Sequence, residues 1–270
     1  MGKIIQIQKE IPYDKPRNIQ IYLPRQYEKR KREHFPVLYM HDGQNLFFNE
    51  TSYAGVSWGV RQTMEAAERK GFSGMIVVGI ENAQDARIQE YSAFAIQEQN
   101  NTNAEFYGAH YLDWIVYDLK PYIDQTLRTL PGKETTFMAG SSAGANISFY
   151  AGIAHAEVFS KIGLFSPAIW LFRESELQRF LSACMQDEDG NRQNRFTDST
   201  FFIQCGTEEG GRKKSLSQAY INATLWLAQA LLAQGMHPDQ LQIVIEHGLN
   251  HSERAWRKVF PRFFRFLIEA

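Results

Sequence analysis

The run Gly140-Ser141-Ser142-Ala143-Gly144 sets a serine between two glycines, each two residues away. Phe137-Met138-Ala139 precedes it as a short apolar strand, and Ala145-Asn146-Ile147-Ser148 follows it as the opening of a helix. A hydroxyl on such a sharp strand-to-helix turn is exposed for attack on a carbonyl carbon, and the crowded backbone demands small neighbours. The first amide after the serine, that of Ala143, then points from a helix N-terminus toward the place where an oxyanion would form. The plain alternative is a Gly-rich turn that merely permits tight packing. Ser141 lacks a glycine at both flanking positions and is the weaker nucleophile.

A serine hydroxyl needs a base, and the base needs a group that orients it. On a sheet with parallel strands these groups belong on loops at the carboxyl ends of strands, in the chain order Ser, Asp or Glu, His. After Phe201–Cys205 comes Gly206-Thr207-Glu208-Glu209-Gly210-Gly211, a tight loop with two carboxylates. Glu209 is preferred over Glu208 as the imidazole's partner, with a solvated acidic loop as the bland reading. After Leu241–Ile245 comes Glu246-His247-Gly248-Leu249-Asn250-His251. His251 lies past the glycine, where a loop can curl back over the strand ends, and is preferred over His247. His34, His41, His110, His155 and His237 lack that position.

A second oxyanion donor would come from the loop after an earlier strand. Val37–Met40 leads into His41-Asp42-Gly43-Gln44-Asn45, where Gly43 allows a close turn and the Gln44 N–H can aim at the same oxygen as Ala143. His41 is expected to bond within its loop rather than act as a base. Arg87, Tyr91, Trp58 and Trp170 are candidates to line a pocket for an aromatic or acidic acyl group. Arg87 could instead pair locally, and the tryptophans could belong to the core.

The elements that must position these groups follow an α/β pattern. Ile4–Gln8, Asn18–Leu23, Val37–Met40, Met75–Ile80, Phe137–Ala139, Ile162–Phe165, Phe201–Cys205 and Leu241–Ile245 read as strands. The later ones are continuous apolar runs, as for strands buried on both faces. Helices are expected at Trp58–Lys70, Phe106–Arg128 (kinked or broken at Pro121), Asn146–Ala154, Ser175–Cys184, Leu216–Ala233 and Glu253–Ile268. Residues 185–199 read as a polar surface loop. The expectation is one domain over residues 1–270, with a mostly parallel sheet of about eight strands and helices on both faces.

Composition narrows the function classes. Net charge is −1, which leaves no basic field for nucleic acid. Hydrophobic residues at 44 % and charged residues at 22 % are ordinary for a globular chain, and no apolar run is long enough to span a membrane. The two cysteines cannot form a disulfide framework. The start lacks an apolar core of secretory length, and Gln6 breaks a myristoylation pattern, so a cytoplasmic location is expected. Glu28–Glu33 reads as a solvated charge run, and the aromatic C-terminal segment as a helix packed on the sheet, with part of it able to form a homodimer contact. No cofactor and no metal is expected, since neither H-E-x-x-H nor a paired-Cys pattern occurs.

Together these segments resemble the putative-esterase (esterase D-like) family of α/β-hydrolases, which includes S-formylglutathione hydrolases, siderophore (enterochelin-type) esterases, feruloyl and acetylxylan esterases, and mycolyltransferases. The resemblance runs from Ile19-Gln20-Ile21-Tyr22-Leu23-Pro24 through Tyr39–Phe47, Val78-Gly79-Ile80, Arg87, Tyr91 and the Ser142 turn. It continues in Phe159-Ser160-Lys161, Phe165–Trp170, Gly206–Glu209 and His251–Trp256. It implies Ser142 as nucleophile, His251 as base, Glu209 as acid and the Gln44 amide in the oxyanion hole. Glutamate where many hydrolases carry aspartate leaves Glu208 open. The expected activity is hydrolysis of a small carboxylic ester by a serine carboxylesterase. A specialised siderophore or feruloyl/acetyl esterase is the alternative, and a non-catalytic binding protein on the same fold is a remote one.

Overall fold

The computed structural model describes residues 1–94, 105–186 and 198–269. Eight strands form one sheet: β1 (Lys3–Ile11), β2 (Asp14–Leu23), β3 (Val37–His41), β4 (Ile76–Ile80), β5 (Thr136–Ser141), β6 (Lys161–Phe165), β7 (Thr200–Gly206) and β8 (Leu241–Glu246). Their spatial order is β1-β2-β4-β3-β5-β6-β7-β8. β2 runs antiparallel to both its neighbours, and every pairing from β4 to β8 is parallel. The chain steps from β3 to β4 on one side, then returns to place β5 on the other side of β3. That reversal opens a crevice beyond the carboxyl ends of β3 and β5, the place where ligands of open α/β sheets bind.

Helices cover both faces. The principal ones are α1 (Arg25–Lys29), α2 (Val60–Arg69), α3 (Arg87–Glu90), α4 (Gly108–Trp114), α5 (Lys120–Thr126), α6 (Ala143–Ala154), α7 (Glu174–Cys184), α8 (Lys214–Ala233) and α9 (Glu253–Ile268). The period of two in each strand divides the side chains between two cores. Leu38, Met40, Phe137, Phe202 and Val244 meet α2 and α9 through Met64, Phe260 and Phe263. Tyr39, Met138, Ile162 and Ile203 meet α4, α6 and α8 through Tyr111, Ile147 and Leu227. Phe260 and Phe263 are fully buried, each gaining about 1.5–3 kcal/mol by leaving water.

Two expectations needed adjustment. The Phe106–Arg128 helix begins at Gly108 and passes through a wide π-helical segment, Ile115–Leu119, before α5. Pro121 supplies no N–H and its ring crowds the preceding turn, so the backbone widens there instead of breaking. Leu241–Ile245, read as buried on both faces, is the edge strand β8: Val244 faces the core, while Ile243 and Ile245 are exposed. Most of the polar loop expected at 185–199 lies outside the described residues.

Candidate active site

The turn after β5 is tight because a side chain at its first glycine would collide with the helix that follows. A Cβ on Gly140 would lie 2.4 Å from the Gly144 carbonyl oxygen, so only glycine lets α6 start directly over the strand end. Ser142 adopts φ 57° and ψ −123°, a left-handed backbone that costs a non-glycine residue about 1–3 kcal/mol. Both sides of the turn hold it there. Ser142 N–H donates to Phe165 O at 2.9 Å, and Ser142 O accepts from Ala145 N–H at 3.0 Å. Ala143 opens α6, where the first N–H groups have no acceptor within the helix.

Beyond β7, Glu209 is buried while Glu208 is exposed. Glu209 Oε1 accepts from the Gly206 N–H and from Ser166 Oγ, each at 2.6 Å. Glu209 Oε2 lies 2.7 Å from His251 Nδ1. An ionised carboxylate only accepts, so Nδ1 carries the proton and Nε2 keeps a lone pair. Trp256 Nε1–H donates to Ser166 Oγ at 2.9 Å. A chain of bonds thus runs from Trp256 through Ser166 and Glu209 to His251. His251 precedes Ser252, whose Oγ caps α9 by accepting from Ala255 N–H at 3.3 Å. That cap stops the helix one residue after the imidazole and leaves His251 on the loop. His247 is exposed nearer the strand.

Beyond β3, Gly43–Asn45 forms a single 3-10 turn against β4, where a Cβ on Gly43 would lie 2.4 Å from Gly79 O. Asp42 enters this turn at φ 56° and is fastened on every side. Arg87 grips its carboxylate through Nε at 2.6 Å and Nη2 at 2.7 Å, and Asn82 Nδ2 donates at 2.6 Å. The Asp42 N–H donates to Tyr91 Oη at 3.1 Å. Burial favours the neutral acid, but the Arg87 charge and bonds outweigh it and hold Asp42 below the usual carboxylate range. His41 is pushed down to about 3, by burial first, with Arg87 adding and Asp42 opposing. Its Nδ1 lies 3.0 Å from Tyr111 Oη.

Ser142 and His251 line one cavity of about 770 Å³ together with Gln44, Arg87 and Ser141. Asn45, Glu81, Asn82, Gln84, Asp85 and Glu253 bring polar groups to its wall, and Tyr53 and Trp256 add aromatic surface. The other pocket candidates lie elsewhere. Tyr91 is fully buried beneath Asp42. Trp58 fills the core, its ring 4.8 Å from Phe165 and 5.5 Å from Trp256. Trp170 lines a separate cavity of about 330 Å³ with Trp226 and meets Tyr220 edge-on. Ser166, Trp256 and Glu253 lie in segments that carry the resemblance but were given no role, and Tyr220 lies in none of them; all four sit at the candidate site. Ser166 had an available signal, since it directly follows β6. Tyr220 had none, lying within α8. Among the described residues no group of three or more His, Cys, Asp and Glu side chains is arranged to hold a metal ion.

Residues 12–267 match the model of the family described as Putative esterase. The Bacillus subtilis (strain 168) protein YbbA is 26 % identical over 253 residues, spanning 93 % of this chain and 92 % of that protein. A solved ferulic acid esterase superposes with a TM-score of 0.71 at 17 % identity, over 99 % of this chain and 98 % of that one. The siderophore hydrolase EstB from Aspergillus nidulans superposes with a TM-score of 0.69 at 15 % identity, over 96 % and 93 %. At these identities the two solved structures speak for the fold, and the family model speaks for the class of chemistry. The chain therefore belongs to this esterase family, a carboxylic-ester hydrolase on the α/β-hydrolase fold.

Proposed function

We propose that the protein is a serine carboxylesterase whose triad is Ser142, His251 and Glu209. His251 Nε2 takes the Ser142 proton as Oγ attacks the ester carbonyl, and Glu209 stabilises the imidazolium through Nδ1. The Ala143 and Gln44 N–H groups hold the developing oxyanion, each such donor being worth about 2.7–4 kcal/mol of barrier. His251 then protonates the departing alcohol. Water repeats the sequence on the acyl-enzyme and returns the Ser142 proton. The observation that carries this reading is the 2.7 Å bond between His251 and buried Glu209 at the cavity that Ser142 also lines.

The charge of the cavity wall favours neutral esters over anionic ones. Asp42, Glu81, Asp85 and Glu253 bring carboxyl groups to it, and Arg87, the cation of its lining, is bound to Asp42. A siderophore carrying several catecholates would meet like charge there. No described helix is long and apolar enough to cross a membrane.

The test is Ser142→Ala assayed on p-nitrophenyl acetate. Turnover should fall by about 10⁴–10⁶-fold with the fold retained. A fluorophosphonate should label wild type at Ser142 and leave the variant unlabelled. Wild-type turnover by the variant, or an unlabelled wild type, would remove the basis for this mechanism, and the latter would favour a binding protein.

A further inference from the structure

Tyr220 belongs to α8 and to none of the loops that deliver Ser142, Glu209 and His251. Its ring centroid lies 4.8 Å from that of His251, with 37° between the planes. Trp256 meets the same imidazole edge-on at 5.0 Å. Tyr220 is itself held firmly: it is buried against Ala168 and Cys205 and meets the Trp170 ring at 5.6 Å. Burial pushes its phenol up to about 12, with the Glu209 charge adding, and a hydrogen-bonding contribution from the Ser142 side chain draws it back. The phenol therefore keeps its proton at neutral pH and can act as a donor.

We propose that Tyr220 is a positioning residue for the ester reaction, its ring fixing the His251 imidazole and its hydroxyl donating a hydrogen bond to Ser142 Oγ. This rests on the reading of Ser142 and His251 given above. The hydroxyl keeps its proton throughout. During acylation it holds Oγ in the orientation from which His251 takes the serine proton. During deacylation water gives a proton to His251 and bonds to the acyl carbon, the bond between Oγ and that carbon breaks, His251 returns the proton to Oγ, and the Tyr220 donor stabilises the charge that Oγ carries as it leaves. A rigid aromatic partner suits this task, because its contacts to Trp170 and to the imidazole leave it little rotational freedom.

Two variants separate ring from hydroxyl in the full-length chain. Tyr220→Phe keeps the ring and should lower kcat on p-nitrophenyl acetate about tenfold with KM within twofold, and slow fluorophosphonate capture of Ser142 in parallel. Tyr220→Leu removes both and should lower kcat about a hundredfold. A residue that only packs would move melting temperature and leave the kcat and capture rates of the Phe variant untouched. If Tyr220→Phe matches wild type in both rates while Ser142→Ala is inactive, the inference falls and the triad reading stands. If Ser142→Ala itself turns over ester normally, both fall. Should Tyr220→Leu fail to fold, the Phe variant alone decides.

Discussion

Trp256 Nε1 and Ser166 Oγ are joined by a 2.9 Å hydrogen bond that fastens the first turn of α9 to the loop after β6. Ser166 passes the connection on to Glu209, so the side chain that orients His251 is itself oriented from two directions. Ser166→Ala removes both contacts and leaves the indole N–H buried without its partner. It should cost about 1–3 kcal/mol of stability. Ester turnover should drop roughly tenfold as Glu209 loses a fixed position. Urea unfolding and steady-state kinetics on the same preparation check both, and unchanged values in each would mean that Ser166 is a spectator.

Adjacent carboxylates provide an internal control. Glu209→Gln keeps the shape but can no longer hold the Nδ1–H tautomer of His251, and should lower kcat by about 10⁴-fold. Glu208→Gln, altering an exposed side chain, should stay within twofold of wild type. Equal effects of the two substitutions in a p-nitrophenyl ester assay would contradict the assignment.

Asp42 and Arg87 form a pair whose halves are not interchangeable. Arg87→Gln leaves a buried carboxylate without its counter-charge and should destabilise the protein by about 3 kcal/mol at pH 7. The Asp42 pKa is depressed in wild type, so its contribution is present above the ordinary carboxylate value and is lost as pH falls through the folded value. In the variant the Asn82 bond remains but the counter-charge is gone, so burial weighs more heavily and protonation relieves the cost. The stability gap between variant and wild type should therefore narrow from pH 7 to pH 4 in urea titrations. A gap constant with pH would show that the loss comes from packing alone.

His41 adds an acid sensitivity of its own. With a folded value of about 3 against an ordinary value of about 6.5, the unfolded chain binds a proton that the native state refuses. Stability from this group is full above about pH 6.5 and declines as pH falls toward the folded value. His41→Asn should flatten the stability curve between pH 6.5 and pH 4 relative to wild type. Parallel curves for the two proteins would rule out this contribution.

The elements were legible because β-branched and aromatic runs at β3 to β7 are too apolar to lie anywhere but inside a covered sheet. The elbow was legible for a related reason: Gly140 stands where the first turn of α6 leaves no room for a side chain. The pocket lining was not. Trp58 and Tyr91 are aromatic residues near motif segments, yet one completes the core under α9 and the other holds the Asp42 amide. Whether an aromatic faces a ligand or a helix depends on crossover geometry that a linear pattern does not carry. Tyr220 illustrates the converse: nothing in the spacing of α8 marks which of its residues meets His251, because that contact is set by how the helix crosses the sheet.

The His251–Glu209 contact joins loops after two neighbouring strands, β7 and β8, and β8 is the sheet's outer edge. It needs that edge paired to β7 and the loop before α9 in place. A chain emerging from the ribosome presents the Ser142 turn more than a hundred residues before His251. Under the proposed triad, esterolytic competence is a late event in biosynthesis, and its onset can be timed as a marker that the last crossover has been completed.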